Sequence, residues 1–97
     1  MFIGIDLGTS SIKIVLIDEN QKILANHSEN IKLLNPRSGF YEQDPESWFI
    51  ATIKCFNKMR KDKPKEFSAV RALGISGQMH GATLIDKNNQ VLHPCIL

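Results

Sequence analysis

The sequence predicts a mixed α/β fold, and three observations carry that prediction. Two β-branched runs, Phe2 to Leu7 and Ile12 to Ile17, flank a short polar turn. Asp44-Pro45 then opens a stretch whose apolar residues recur at helical spacing as far as Lys61. A third apolar run, Val70 to Ile75, follows Pro64. A hairpin, a crossover helix and a strand parallel to the first are what that order implies.

The first run places Ile3, Ile5 and Leu7 on one side and Phe2 and Gly4 on the other, so both faces are largely apolar and a central position in a sheet is expected. Gly8-Thr9-Ser10-Ser11 turns the chain into the second run as a tight antiparallel hairpin. Asp18-Glu19-Asn20-Gln21 is a second turn. Lys22 to Asn30 is a more polar third strand, suited to a position near an edge. Leu34 to Gln43, with Pro36 and Gly39, reads as a connecting loop. Asp44 can accept from free N–H groups at a helix start, and Pro45 has no N–H to lose there. At about 100° per residue, Trp48, Phe49, Thr52, Ile53, Cys55, Phe56 and Met59 share an arc of about 160°. Lys54, Asn57, Lys58 and Lys61 lie opposite. One face of this helix is therefore expected on a sheet, and Pro64 is expected to end it.

Two segments echo each other. Leu16-Ile17-Asp18-Glu19-Asn20-Gln21-Lys22-Ile23-Leu24 is matched by Leu84-Ile85-Asp86-Lys87-Asn88-Asn89-Gln90-Val91-Leu92. Each is an apolar pair, an Asp/Asn turn and a second apolar pair, so both are expected to be hairpins. The residues around them do not match, which makes the echo shared turn chemistry rather than duplication.

Composition narrows the function classes. With 97 residues, of which 42% are hydrophobic, the chain is long enough for one small domain with a modest core. Its stability margin is thin unless partner surface covers the sheet. A net charge of +2, from 12 basic and 10 acidic residues, gives no basis for nucleic acid or an acidic membrane as a partner. The local excess from Lys58 to Lys65 fits a solvated helix end. Cys55 and Cys95 lack CxxC spacing, and Asp6 interrupts the first apolar run, so neither a redox motif nor a signal peptide is read and a cytoplasmic location is expected. The formal sequon Asn26-His27-Ser28 carries no meaning without secretion. GxxxxGK[ST] and GxGxxG are both absent. His27, His80 and His93 have no metal-ligand spacing with one another or with the cysteines.

Two places carry chemistry. Asp6 is a lone carboxylate at the end of an apolar strand, beside a turn rich in N–H groups and hydroxyls with a glycine that lets a ligand approach. One reading is a phosphate over the turn, with Asp6 holding Mg²⁺ directly or through water. The other is a carboxylate that merely caps the hairpin turn. The second place is Gly77-Gln78-Met79-His80-Gly81, at the C-terminal end of the expected parallel strand, the edge where open α/β sheets bind ligands. Its glycines permit sharp turns and close approach. Gln78 and His80 both donate and accept hydrogen bonds, which suits a polyhydroxylated ligand, and Met79 is an adaptable apolar wall.

"IGIDLGTSSIKIVLID" resembles the first phosphate-binding hairpin of the sugar-kinase, heat-shock chaperone and actin ATPase superfamily. "GISGQMHG", residues 74 to 81, resembles the sugar-loop signature of the xylulose kinases within the FGGY carbohydrate kinases, and "GFYEQDPESW" is similar to that family's approach to its first helix. The resemblance covers essentially the whole chain. It implies a ribonuclease-H-like (actin-like ATPase) fold, with residues 1–97 as an incomplete N-terminal part of the first kinase domain. It implies that Asp6 serves the Mg²⁺ and phosphate region, that Gly8, Thr9 and Ser10 face the phosphates of ATP, and that Gln78, Met79 and His80 face a ketopentose. The implied reaction moves the γ-phosphoryl group of ATP to the 5-hydroxyl of D-xylulose. Family members are several times longer and carry their catalytic aspartate elsewhere, so these 97 residues alone are expected to be inactive. Other expected readings are a kinase for a different polyol, ketose or sugar acid, a nucleotide-gated chaperone or filament protein, and a non-catalytic fragment. The expected partners are a small-molecule sugar and, for the complete protein, a second copy in a homodimer.

Overall fold

The computed structural model describes residues 1–97. Strand β1 (Phe2–Leu7) pairs antiparallel with β2 (Ser11–Ile17), and β2 with β3 (Ile23–Asn30). Strand β6 (Ala72–Ser76) lies parallel to the other side of β1, giving the order β3-β2-β1-β6. Helix α1 (Pro45–Asp62) and the short α2 (Pro64–Ser68) form the crossover. A second sheet holds β4 (Leu34–Arg37), β5 (Phe40–Gln43) and β7 (Cys95–Ile96).

The alternation read from sequence builds the core. Ile3 and Ile5 stand opposite Leu16 and Ile14, and these four with Ile12 are buried under Ala51, Cys55 and Met59 of α1. Each buried isoleucine, Leu16 and Met59 contributes roughly 1.5–3 kcal/mol by leaving water. Asp44 caps α1 by accepting from the Glu46 N–H at 3.0 Å, and Pro45 occupies the first helical position. An ion pair between Lys58 and Glu29 and a hydrogen bond between the His27 ring and the Asp62 carboxylate, at 3.2 Å, tie the helix to β3. Burial pushes the Cys55 thiol pKa up. No helix is long and apolar enough to cross a membrane.

The structure corrects several expectations. Residues 34–43 are not a loop but a hairpin. Gly39 at φ +80° supplies the left-handed position its Ser38-Gly39 turn needs, and Pro36 is tolerated because β4 is an edge strand. The Arg37 guanidinium sits 4.1 Å from the Phe40 ring centre across that turn. Pro64 does end α1, but it also opens α2, since a proline after one helix is equally suited to the first position of the next. The buried stripe of α1 is narrower than the expected arc. The helix lies over β2 and β3, and the flank carrying Phe49 (62% exposed) and Ile53 (39%) has nothing above it. Only one face of β1 is covered, because Gly4 and Asp6 point to the side of the sheet away from α1. The Leu84–Leu92 echo does form its turn, but the flanks make a single bridge, Ile85 to Val91, rather than strands.

Candidate functional site

Parallel pairing sets the site's frame. Asp6 lies beside Ser76, so β1 and β6 both end on the same side of the sheet. The chain leaves β1 through the Gly8–Ser11 turn, closed by the Gly8 N–H donating to the Ser11 carbonyl at 3.0 Å. A Cβ on Gly8 would lie 3.0 Å from that same carbonyl oxygen, so the turn has little room for a side chain there. Thr9 and Ser10 form its exposed corner. Their carbonyls are tied back into the protein, that of Ser10 accepting from the Ile31 N–H at 2.8 Å and that of Thr9 from the Gln43 amide. Their own N–H groups enter no hydrogen bond within the chain and are free for an anion.

Strand β6 leads into the second loop. Gln78 lies two residues past its end, and the Thr9 hydroxyl donates to Gln78 Oε1 at 2.8 Å across 69 residues of sequence. The loop is closed at its far end by the paired bonds between Ala82 and Ile96, both 2.9 Å. Met79 is 79% exposed, and His80 is exposed with no hydrogen bond to its ring. The glycines meet expectation only in part. The left-handed residue is His80 itself, at φ 65°, while Gly77 has open space around it. Only Gly81 meets a close neighbour, since a Cβ there would sit 3.2 Å from Cys95 Sγ. An imidazole residue held left-handed is uncommon and marks this loop as constrained.

The Asp6 carboxylate is exposed and accepts no hydrogen bond. The capping alternative therefore fails, because the turn closes through backbone alone. Asp6 instead looks onto an open trough of about 700 Å³ across the uncovered face of the sheet, lined also by Gly4, Lys13, Ser28, Gly74 and Ser76. The trough reaches Asp6 and Ser76 but none of Gly8, Thr9, Ser10, Gln78, Met79 or His80. No cluster of three or more His, Cys, Asp or Glu side chains exists that would cage a metal by protein alone. A magnesium ion that arrives on phosphate oxygens needs only one or two carboxylates and keeps several waters, and Asp6 fits that requirement. The structure thus brings Asp6, Gly8, Thr9, Ser10 and Gln78 together at one end of the sheet, with Met79 and His80 in the next turn.

Gln43 is the residue that sequence reading missed. It is 1% exposed, the one buried polar side chain, and it also accepts from Trp48 Nε1 at 3.0 Å. Its signal was a glutamine directly before the helix cap, inside a segment read as loop.

An anion-ready turn and a polar loop are thus joined at the ends of two parallel strands. The sequence profile of the FGGY family of carbohydrate kinases, N-terminal domain, matches residues 1–97, and the chain belongs to that family. More particularly, it is similar to the xylulose kinase of Klebsiella pneumoniae, with 45% identity over 100% of this chain and 20% of that protein. The solved structure of a xyloylose kinase from Brucella ovis superposes with a TM-score of 0.96 at 46% identity, covering 98% of this chain and 20% of that one. The gluconokinase of Bacillus subtilis is 35% identical over 97% of this chain and 18% of its own length. The fold is thus that of the actin-like ATPases, of which this chain holds a part. It spans about a fifth of the length of these relatives.

Proposed function

We propose that this chain supplies the phosphate turn and the sugar loop of a cytoplasmic, ATP-dependent xylulose kinase, which converts D-xylulose to D-xylulose 5-phosphate. The observation that carries the reading is the Thr9–Gln78 hydrogen bond, which brings an anion-binding turn and a loop suited to hydroxyl groups within one contact. In this reading the free N–H groups of Thr9 and Ser10 receive ATP phosphate oxygens, with Gly8 allowing their approach. Asp6 orients Mg²⁺ through water. Gln78 and His80 bind sugar hydroxyls, and Met79 packs on the carbon chain. Phosphoryl transfer depends mostly on alignment and charge neutralisation, which these residues serve. The base for the attacking hydroxyl lies outside residues 1–97.

The second reading, a kinase of the same family acting on another ketose, polyol or sugar acid, is favoured by the similarity to a gluconokinase. Phosphorylation assays of the complete protein against D-xylulose, other ketoses, polyols and gluconate separate the two. A clear preference for D-xylulose is expected. Preference for gluconate or a polyol would overturn the first reading, and sugar-independent ATP hydrolysis would overturn both.

A further inference from the structure

We propose that Gln43 is a positioning residue for the nucleotide turn: by fixing the Thr9 carbonyl it aims the Ser10 N–H at the ligand and holds the phosphate turn and the sugar loop as one unit. The inference rests on the functional reading above for what the ligand is, but not for what Gln43 does to the turn.

A buried primary amide is unfavourable unless both its ends are bonded. In Gln43 both are: Nε2 donates to the Thr9 carbonyl, and Oε1 accepts from the indole of Trp48. An indole N–H only donates and a carbonyl only accepts, so the bridging side chain must present one acceptor and one donor. An ionised glutamate would set oxygen against oxygen at Thr9, and methionine would satisfy neither partner. The platform is stiff. Gln43 ends β5, where it pairs with Cys95, and the Asp44 cap and first turn of α1 follow directly.

The consequence comes from peptide planarity. The Thr9 C=O and the Ser10 N–H belong to one trans peptide unit and point in opposite directions. Fixing that carbonyl inward on Gln43 therefore fixes the Ser10 N–H outward, on the exposed side of the turn, where it has no partner in the chain. The Thr9 side chain is carried by the same unit, and its hydroxyl donates to Gln78. One buried amide thus sets an anion donor and a sugar-loop side chain together.

Amide exchange and side-chain NMR of the complete protein test this with Gln43→Met and Gln43→Glu. Exchange at the Gly8 amide is expected to speed about tenfold relative to core amides of β1 and β2, the scale of one lost hydrogen bond. The Gln78 side-chain amide signals are expected to move. Gln43→Glu should recover the wild-type signals as pH falls, because a protonated carboxyl again offers one donor and one acceptor. Unchanged Gly8 exchange and Gln78 signals would overturn the proposal. So would equal acceleration of every amide, which would mark a general stability effect. In the complete kinase, Gln43→Met should raise the KM for ATP about tenfold, with a smaller change in kcat; a kcat loss at constant KM would count against it. Absence of sugar phosphorylation by the wild-type kinase would defeat the functional reading alone, and the exchange result would still decide the role of Gln43.

Discussion

The turns at Asp18 and Asp86 are nearly the same object in two settings. In each, the aspartate N–H donates to the carbonyl four residues on, at 3.1 Å for Lys22 and 2.9 Å for Gln90. In each, the aspartate carboxylate accepts from the N–H groups two and four residues ahead, at 2.8 and 2.9 Å. In each, the residue before the last is left-handed, Gln21 at φ 64° and Asn89 at φ 61°. Beyond the turn they part. The first joins β2 to β3 inside the main sheet, and its Leu16 is wholly buried. The second has one bridge, and its Leu84, Ile85, Val91 and Leu92 are all more than 40% exposed, at 62%, 54%, 44% and 64%. Turn chemistry is thus local and repeatable, whereas strand length depends on what lies beside the turn.

The largest test of that contrast swaps the equivalent leucines. Leu16→Ala is expected to cost about 2–5 kcal/mol, as a large-to-small change in a closed core does. Leu84→Ala is expected to change stability by no more than about 0.5 kcal/mol. Urea unfolding of the two variants measures both, and equal losses would show that the second hairpin is as integral as the first.

A smaller effect comes from the aspartates. Asp18→Ala is expected to lower global stability by about 1 kcal/mol, because its turn joins two strands that unfold with the sheet. Asp86→Ala should leave the urea midpoint alone yet speed exchange at the Asn88 and Gln90 amides. A midpoint shift for Asp86→Ala as large as that for Asp18→Ala would remove the distinction.

The smallest concerns the ion pair that anchors β3, for which the second hairpin has no counterpart. The hydrogen bond from Lys58 holds the Glu29 carboxyl below the usual carboxylate range, and Glu29 in turn raises Lys58 above the usual ammonium value. The Glu29 contribution is present above the unfolded carboxylate pKa and is lost as pH falls through the depressed folded value. The Lys58 contribution is present below the unfolded ammonium pKa and is lost as pH rises through the raised one. Both groups face water, so the effect is slight. Denaturation midpoints followed across acid pH should fall less steeply in Glu29→Gln than in wild type; identical slopes would deny the pair any role.

Much of the candidate site was legible for the same reason that the turns were. Asp6 stands near the end of one strand, Gly8, Thr9 and Ser10 follow it directly and Gln78 lies just past another, so identifying the strands and their parallel pairing was enough to bring them together. The role of the glycines was not legible, because the left-handed conformation fell on His80 rather than on Gly77 or Gly81, to which glycine's freedom would have assigned it. Gln43 was not legible either. A glutamine between a hairpin and a helix cap is ordinary until two partners, Thr9 and Trp48, close on it.

By itself the sequence determined what is settled within a few residues: the alternation of β1 and β2, the Asp44 cap, the two aspartate turns and the polar loop after Ser76. Each of these rests on bonds or periodicities spanning a turn or less, so the chain carries them wherever it goes. Tertiary structure decided which turn flanks lengthened into strands, that residues 34–43 pair with each other and with β7, and that one buried amide ties down the Gly8–Ser11 turn. Those outcomes need a second surface to supply hydrogen-bond partners and to exclude water, and that surface comes from residues tens of positions away.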